Sequence, residues 1–595
     1  MSVNQKDIIV THGPSLYAPF QAIIIDYDQS TLGGDNKLSS EHIQKLSKIL
    51  PDIITSKLSM TGINDVNKLL EKLIAALHDA REPLELKLEI QEAGNKQYRL
   101  ITEYYNERTT RWVLQLSFNV ISFIKSPELN SLEQLLKHSQ QIVRSIINNS
   151  PGYMVQGIML VAKKRGIPLY LVEYDTHLTS FGQGVKSVIF ENSSNEFDSK
   201  IGYLLQENKV RTSNFLKKVG YPATNQMVVH SFDMCLKSAE SLGYPVVIKP
   251  ISGGLGRGVT ANIHTPKQLK YAYDEAVKKS TKTVLIEKHV NGDVYRITMA
   301  NNKIIGLGHR HLPQVIGDGK NTIRVLINQE NVRRQQPGMI AKLIIPITID
   351  SRLISNLQNV NYGLDSIPNV GEKVMLGDIH NRSVGATQTM RELGDMHPDY
   401  IDMVHDLAKL FRLDSIGIDI MSPDISLSWR EVGVIIEMNA HPGPAPALLD
   451  KMMGDFFSNN KGRIDTTLVV TSNHNFSELI FNKKQEKYSK AGLANNQTAA
   501  FKTGPLMVAE QGLFNNCLAL LLNNSCDAIV VSITPDEIIK SGLPIDYFDH
   551  CIIDPESNTD GELINSSVQT LTDDENLTNW LSRYTGRIDI NNSEL

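Results

Sequence analysis

Two apolar runs late in the chain, SIGIDIMS over 415–422 and VGVIIEMNA over 432–440, carry Asp419, Glu437 and Asn439 where an unpaired carboxylate is costly to bury. Successive side chains of a strand face opposite sides. The pattern therefore predicts that Glu437 and Asn439 share one face with Ile435, while Ile436 and Met438 take the other. Asp419 on a neighbouring strand adds a third oxygen. Two carboxylates and an amide oxygen suit a hard Mg²⁺ that bridges nucleotide phosphates.

This sheet has to sit in a larger assembly. At 595 residues the chain exceeds one core, and at roughly 150 residues per domain it divides into several. The balance of 60 basic against 65 acidic side chains, a net charge near −5, gives no sign of nucleic acid or anionic membrane as a partner. Cys235, Cys517, Cys526 and Cys551 form no C-x-x-C pair, which argues against zinc or a disulfide framework and for a reducing cytoplasm. The N-terminal MSVNQKDIIV lacks the marks of a signal peptide, and no run of about 18 apolar residues occurs, so a cytoplasmic chain without a membrane span is expected.

Along the chain, an N-terminal α+β domain over 1–160 alternates extended runs (DIIVTHG, QAIIIDYD, ELKLEIQEA, RWVLQLSFNVISFI) with helical stretches at Asn67–Arg81 and Ser131–Asn148. A second block over 161–460 opens with a helix over Ser199–Val219 closed by Gly220. It continues through the strands YPVVIKP and TVLIEKHV, then DVYRITM and KIIGLG around an Asn-Asn turn. An apolar stripe at Ile401, Val404, Leu407, Leu410 and Phe411 predicts an amphipathic helix before the two acidic strands. A third α/β segment over 461–595 has strands at TTLVVTS, AIVVSI and HCIID.

Two further features carry chemistry. Lys249 ends an apolar strand and is followed by Ser252-Gly-Gly-Leu-Gly-Arg-Gly258, whose Gly253, Gly254 and Gly256 let backbone N–H groups approach phosphate oxygens. The loop fits neither G-x-x-x-x-G-K-[ST] nor G-x-G-x-x-G, which argues against a P-loop or dinucleotide fold here. Glu287 in VLIEKHV suits an adenine or ribose edge, whereas Lys209, Arg296 and Arg310 read singly as surface charge.

The order Lys209, YPVVIKP with its glycine loop, LIEKH, GIDIM and IIEMN resembles the ATP-grasp superfamily. HLPQVIGDGKNTI, NRSVGAT, LTSFGQGVKSVIF and SPDISLSWREVGVIIEMNAHPG are similar to segments of one family within it, the cyanophycin synthetases. The resemblance implies ATP and Mg²⁺ as cofactors, with Lys209 and Lys249 on ATP phosphates and Glu287 at the adenine side. It implies Asp419, Glu437 and Asn439 on Mg²⁺, Arg310 and Lys249 as catalytic, and Ser383, Gly385, Thr387 and His441 toward the substrate. The expected architecture is an α/β and α+β multidomain chain with an N-terminal α+β domain, an ATP-grasp domain and a truncated Mur-ligase-like α/β domain.

Departures shape the expected function. Where that family opens a second ATP site with Thr-Gly-Thr-Asn-Gly-Lys-Thr, this chain reads Thr471-Ser-Asn-His-Asn-Phe-Ser477, without either glycine or the lysine. The family also follows Ala-Pro-Gly with Arg-Met-His, whereas here His441-Pro-Gly-Pro-Ala-Pro446 stands, and Ser252 and Leu255 replace a common Asp and His. One site of two is the pattern of the truncated members, so the resemblance implies an ATP-dependent ligase joining a peptide or polymer carboxylate to an amine, polymerising β-aspartyl-arginine dipeptides, as a homo-oligomer. A discrete peptide ligase with another amine, and a non-catalytic homologue assembling with a full-length synthetase, are the alternatives.

Overall fold

A computed structural model describes residues 8–590 except 29–31, 33–36, 56, 59–62, 64, 82–84, 95–96, 126–131, 174–177, 252–257, 279–282, 335–345, 382–384, 459 and 555–576. The chain divides into two compact units, Met1–Glu191 with Phe457–Leu595, and Asn192–Phe456.

Two of the first unit's sheets are built on different principles. Near the N-terminus, Ile8–Thr11, Ala22–Asp28, Gln97–Glu103 and Leu88–Gly94 form an antiparallel sheet in that order. Its Ile23, Ile25 and Leu100 pack on helices Val66–His78 and Glu107–Lys125. The C-terminal part holds a seven-stranded sheet whose core strands Ala491–Ala494, Ala528–Ile533, Asp465–Val470, Phe548–Ile553 and Thr585–Ile590 run parallel. Such strands are covered on both faces and read as continuous apolar runs, as AIVVSI does.

The second unit holds the acidic strands. One antiparallel sheet has the order Thr260–Ile263, Val246–Pro250, Val284–Lys288, Gln226–Val229 and packs on helices Phe232–Leu242 and Pro266–Lys278. A five-stranded antiparallel sheet runs Thr387–Arg391, Lys303–His311, Asp293–Ala300, Ile416–Ser422, Val434–Asn439. Its Tyr295, Ile297, Met299, Ile416, Ile418 and Ile420 face helix Pro398–Phe411 and form one core. Alternation then sends Arg296 and Asp419 to the opposite face. Asn301 and Asn302, both at positive φ, make the tight turn that the Asn-Asn pair predicts.

Several elements differ from the sequence reading, each for a local reason. RWVLQLSFNVISFI lies in helix Glu107–Lys125, not a strand, because Val113, Leu114, Ser117, Val120, Ile121 and Ile124 recur at helical spacing and are all buried. The helix expected over 199–219 is two, Lys200–Glu207 and Lys209–Lys218. Asn208 leaves helical backbone there, and its side chain accepts from the N–H groups of Val210 and Arg211. Ile401 is 38% exposed, and the buried stripe of helix Pro398–Phe411 is instead Tyr400, Met403, Val404, Leu407, Ala408 and Phe411. A bulge also breaks the alternation in the second acidic strand: Asp419 pairs with Glu437, but Ile420 pairs with Ile435. Ile435 therefore joins Met438 in the core instead of facing out with Glu437, and Ile436 lines the cavity beside Glu437.

Candidate active site

Within the second unit a cavity of about 360 Å³ is lined by Lys209, Lys249, Glu287, Arg310, Asp419 and Glu437, among others. Six of the side chains singled out from sequence thus meet in one place. Each is delivered by a strand or a helix start, which fixes its position better than a loop would.

Lys249 ends the Val246–Pro250 strand, and its Cα register partner on the neighbouring strand is Leu285, two residues from Glu287. The Lys249 ammonium lies 2.7 Å from Glu287 Oε2, which also accepts from Thr224 Oγ1 at 2.9 Å. Both residues are buried, Lys249 at 8% and Glu287 at 6% exposure. In this geometry Glu287 holds the ammonium at the cavity wall. Lys209, first residue of its helix because of the Asn208 break, brings Nζ to 3.5 Å from Glu437 Oε1.

Asp419 is 2% exposed and lies between two guanidiniums. Arg296 Nη1 donates to Oδ1 at 3.1 Å and Arg310 Nη1 to Oδ2 at 3.0 Å. Arg296 is anchored further by Nη2 donating to the Pro442 carbonyl at 2.6 Å. Gly417 leaves room for that guanidinium, since a Cβ there would lie 2.2 Å from Arg296 Nη2. Arg310 keeps its Nε buried with no hydrogen-bond partner. Burial pulls the Arg310 guanidinium below its ordinary value; Asp419 opposes that, and Arg296 adds to it. An N–H donor left unpaired beside a cavity is placed to meet an anionic oxygen.

The carboxylates of Asp419 and Glu437 on the cavity wall are the donors a hard cation would take, whereas Asn439 is not among the residues that line the cavity. Asp419 and Glu437 are register partners on adjacent strands, and Asn439 follows two residues on, opposite Gly417. Among the described residues no three His, Cys, Asp or Glu side chains converge as metal ligands. Two carboxylates leave a cation to complete its shell with substrate oxygens, as Mg²⁺ at a nucleotide does.

The remaining sequence candidates sit elsewhere. His441 Nδ1 is 2.6 Å from Ser194 Oγ, and its ring packs edge-on to Tyr203. Gly385, at φ +94°, offers its carbonyl to Arg334 Nη1 at 3.0 Å, and Thr387 pairs with His311 at the sheet edge. Gly253, Gly254, Gly256 and Ser383 lie outside the described residues. Sequence reasoning passed over Asp378 and His380, which line the same cavity. Their only signal was two ionisable residues directly before the NRSVGAT segment.

Residues 208–301 match a family model described as carbamoyl-phosphate synthase L chain, ATP binding domain. That match, in the unit with the two antiparallel sheets and the cavity, sets the class this unit is similar to, the ATP-grasp proteins. Within it the chain is similar to cyanophycin synthetases: it is 30% identical over 349 residues to the one from Crocosphaera subtropica, covering 58% of this chain and 40% of that protein. It is also 26% identical over 293 residues to the glutathione biosynthesis bifunctional protein GshAB of Clostridium perfringens, covering 48% of this chain and 37% of that one. Among solved structures, a bifunctional glutathione synthetase from Pasteurella multocida matches with a TM-score of 0.39 at 19% identity, over 58% of this chain and 49% of that one. The matches thus span less than half the length of these curated relatives. Among the described residues no helix is long and apolar enough to cross a membrane.

Proposed function

We propose that the chain is an ATP- and Mg²⁺-dependent amide ligase that activates a peptide or polymer carboxylate as an acyl phosphate and joins it to an amine. The observation that carries this reading is the convergence of Lys209, Lys249 and Arg310 with the Asp419–Glu437 pair on one cavity. Such a set has little covalent chemistry of its own to perform and works by positioning and by neutralising charge.

In the proposed reaction a carboxylate oxygen of the substrate attacks the γ-phosphorus of ATP, the O–P bond forms, and ADP leaves with the electron pair of the broken bond. The amine nitrogen then attacks the acyl carbon, and phosphate leaves as the amide forms. Lys209 and Lys249 hold phosphate oxygens, with Glu287 fixing Lys249 and lying toward the adenine side. Arg310 meets the oxyanion that develops at the acyl carbon. Asp419, Glu437 and Asn439 would hold Mg²⁺, which supplies charge neutralisation at the phosphates. Arg296 positions Asp419.

On the resemblance of its motifs to those of cyanophycin synthetases, the units added would be β-aspartyl dipeptides and the working form a homo-oligomer. ADP release tests the reading, with Mg-ATP, a short β-aspartyl-arginine primer, and either β-aspartyl-arginine dipeptide or free aspartate plus arginine. Turnover with the dipeptide supports a one-site polymerase. Turnover only with another amine keeps the ligase and discards this substrate, and silence across a broad amine panel removes the ligase reading.

A further inference from the structure

A second cavity of about 210 Å³ lies in the same unit, lined by Pro313, Ile347, Asp350, Arg352, Asn356 and Asp378 among others. Asp378 and Ile379 line both this cavity and the one that holds Lys249 and Asp419. The two spaces therefore adjoin, with a carboxylate at the junction.

That carboxylate is set apart from the other acids of the unit. Asp378 Oδ1 and the Asn356 amide nitrogen, both buried at the smaller cavity, engage each other only loosely, with neither making a well-formed hydrogen bond. Burial pushes the Asp378 carboxyl up, while the backbone of Asp378 itself, Arg352, the backbone of Ala261 and the nearby Asn356 amide oppose that. Buried polar atoms are nearly always well paired, so a carboxylate held this loosely at the junction of two cavities is available to a stronger donor from outside the chain. Arg352 is weakly engaged: it reaches Asp350 at only 3.7 Å and the Val259 carbonyl at 3.4 Å. A carboxylate and a guanidinium thus flank a space sized for a small molecule.

Resting on the ligase reading above, we infer that this smaller cavity is the acceptor subsite and takes a zwitterion: an amino acid or dipeptide whose ammonium meets Asp378 and whose carboxylate meets Arg352. The chemistry requires such a group. An α-ammonium must lose a proton before its nitrogen can attack, and its ordinary pKa near 8 leaves it mostly charged at neutral pH. Asp378 Oδ1 accepts that proton. The nitrogen lone pair then forms the C–N bond, and phosphate leaves with the C–O electron pair. The second proton on the new amide nitrogen goes to the departing phosphate, and Asp378 returns its own to water. Carboxylate activation needs neither Asp378 nor Arg352, which separates the two half-reactions.

Hydroxylamine traps an acyl phosphate as a hydroxamate without an amino acceptor, so it reads the first half-reaction alone. In Asp378→Asn, hydroxamate formation should fall far less than amide formation does. Amide formation should fall about 100-fold in kcat/KM for the acceptor, with partial recovery in Asp378→Glu. Arg352→Met gives a second handle independent of the first variant's folding, and should abolish the preference for an acceptor with a free carboxylate over its carboxamide. If the parent forms hydroxamate and both variants ligate like it with unchanged acceptor preference, the subsite is wrong and the ligase stands. If the parent forms no hydroxamate with any carboxylate, the ligase reading falls and takes this inference with it.

Discussion

Two strand ends in this chain carry polar groups suited to phosphate, and they differ in what those groups are already doing. In the second unit, Lys249 and Arg310 face a cavity, and Arg310 keeps an N–H unpaired. In the first unit, strand Asp465–Val470 leads through Thr471 into helix His474–Lys487, the strand–turn–helix that could cradle a phosphate. Three of its side chains are already engaged by the protein itself. Thr471 Oγ1 donates to Asp554 Oδ2 at 2.6 Å and accepts from the Asn473 N–H at 2.9 Å. Asn473 Oδ1 caps its own helix by accepting from the Asn475 N–H at 3.0 Å, and Ser477 Oγ lies 2.6 Å from Ser532 Oγ. What separates a binding site from a bare fold element is whether polar groups remain available to a ligand.

The contrast breaks most directly at the acidic strands. Glu437→Ala should lower ATP turnover on the order of 10³-fold, by removing the proposed cation ligand opposite Asp419. Turnover that survives this change would end the metal assignment and leave the two regions indistinguishable. Lys249→Met should cost about 100-fold in turnover. It also strands the buried Glu287 charge, so urea unfolding should show about 3 kcal/mol lost from the second unit. An unchanged urea midpoint would mean that Glu287 finds another partner.

A third test sharpens the comparison through pH. Burial pushes the His380 imidazole down to about 4, with Asp293 opposing and Arg310, His309 and His311 adding to the shift. The unfolded chain therefore takes up this proton first as pH falls, and stability is lost between the ordinary value of 6.5 and about 4. For this group, going from pH 7.5 to pH 5 should cost the second unit about 2 kcal/mol, an upper figure since the ring is partly exposed to water. His380→Gln should flatten that slope in urea midpoints taken across the range. An equal slope in the variant would place the acid sensitivity on other groups.

How much of this was legible in the residues depends on the periodicity available. The acidic strands, the Lys249 strand and the Asn-Asn turn followed from period-2 patterning and from side chains that tolerate positive φ. Helix Glu107–Lys125 was hidden because Val, Ile, Phe and Trp also favour strands, and only the burial of residues three and four apart reveals it. The bulge at Ile435–Glu437 has no sequence mark, since both orientations put an isoleucine beside the glutamate. Asp378 stayed invisible because its importance lies in its place at the junction of two cavities, which is a property of the packed structure.

The smallest effect is the most discriminating for the other half of the comparison. Asn473 caps its helix, and Asn473→Ala should cost about 1 kcal/mol of stability in the first unit, the usual worth of an N-cap. ATP turnover should be unchanged, because the groups around Thr471 already satisfy one another and contribute nothing to the Lys249 cavity. Loss of nucleotide binding in this variant, measured by calorimetry with Mg-ATP, would instead mean that the 471–477 turn still holds phosphate. The inward hydrogen bonds would then be a resting arrangement that a ligand displaces. Stability loss alone, with calorimetric binding intact, leaves the turn as scaffold and the cavity of the second unit as the place where ATP is used.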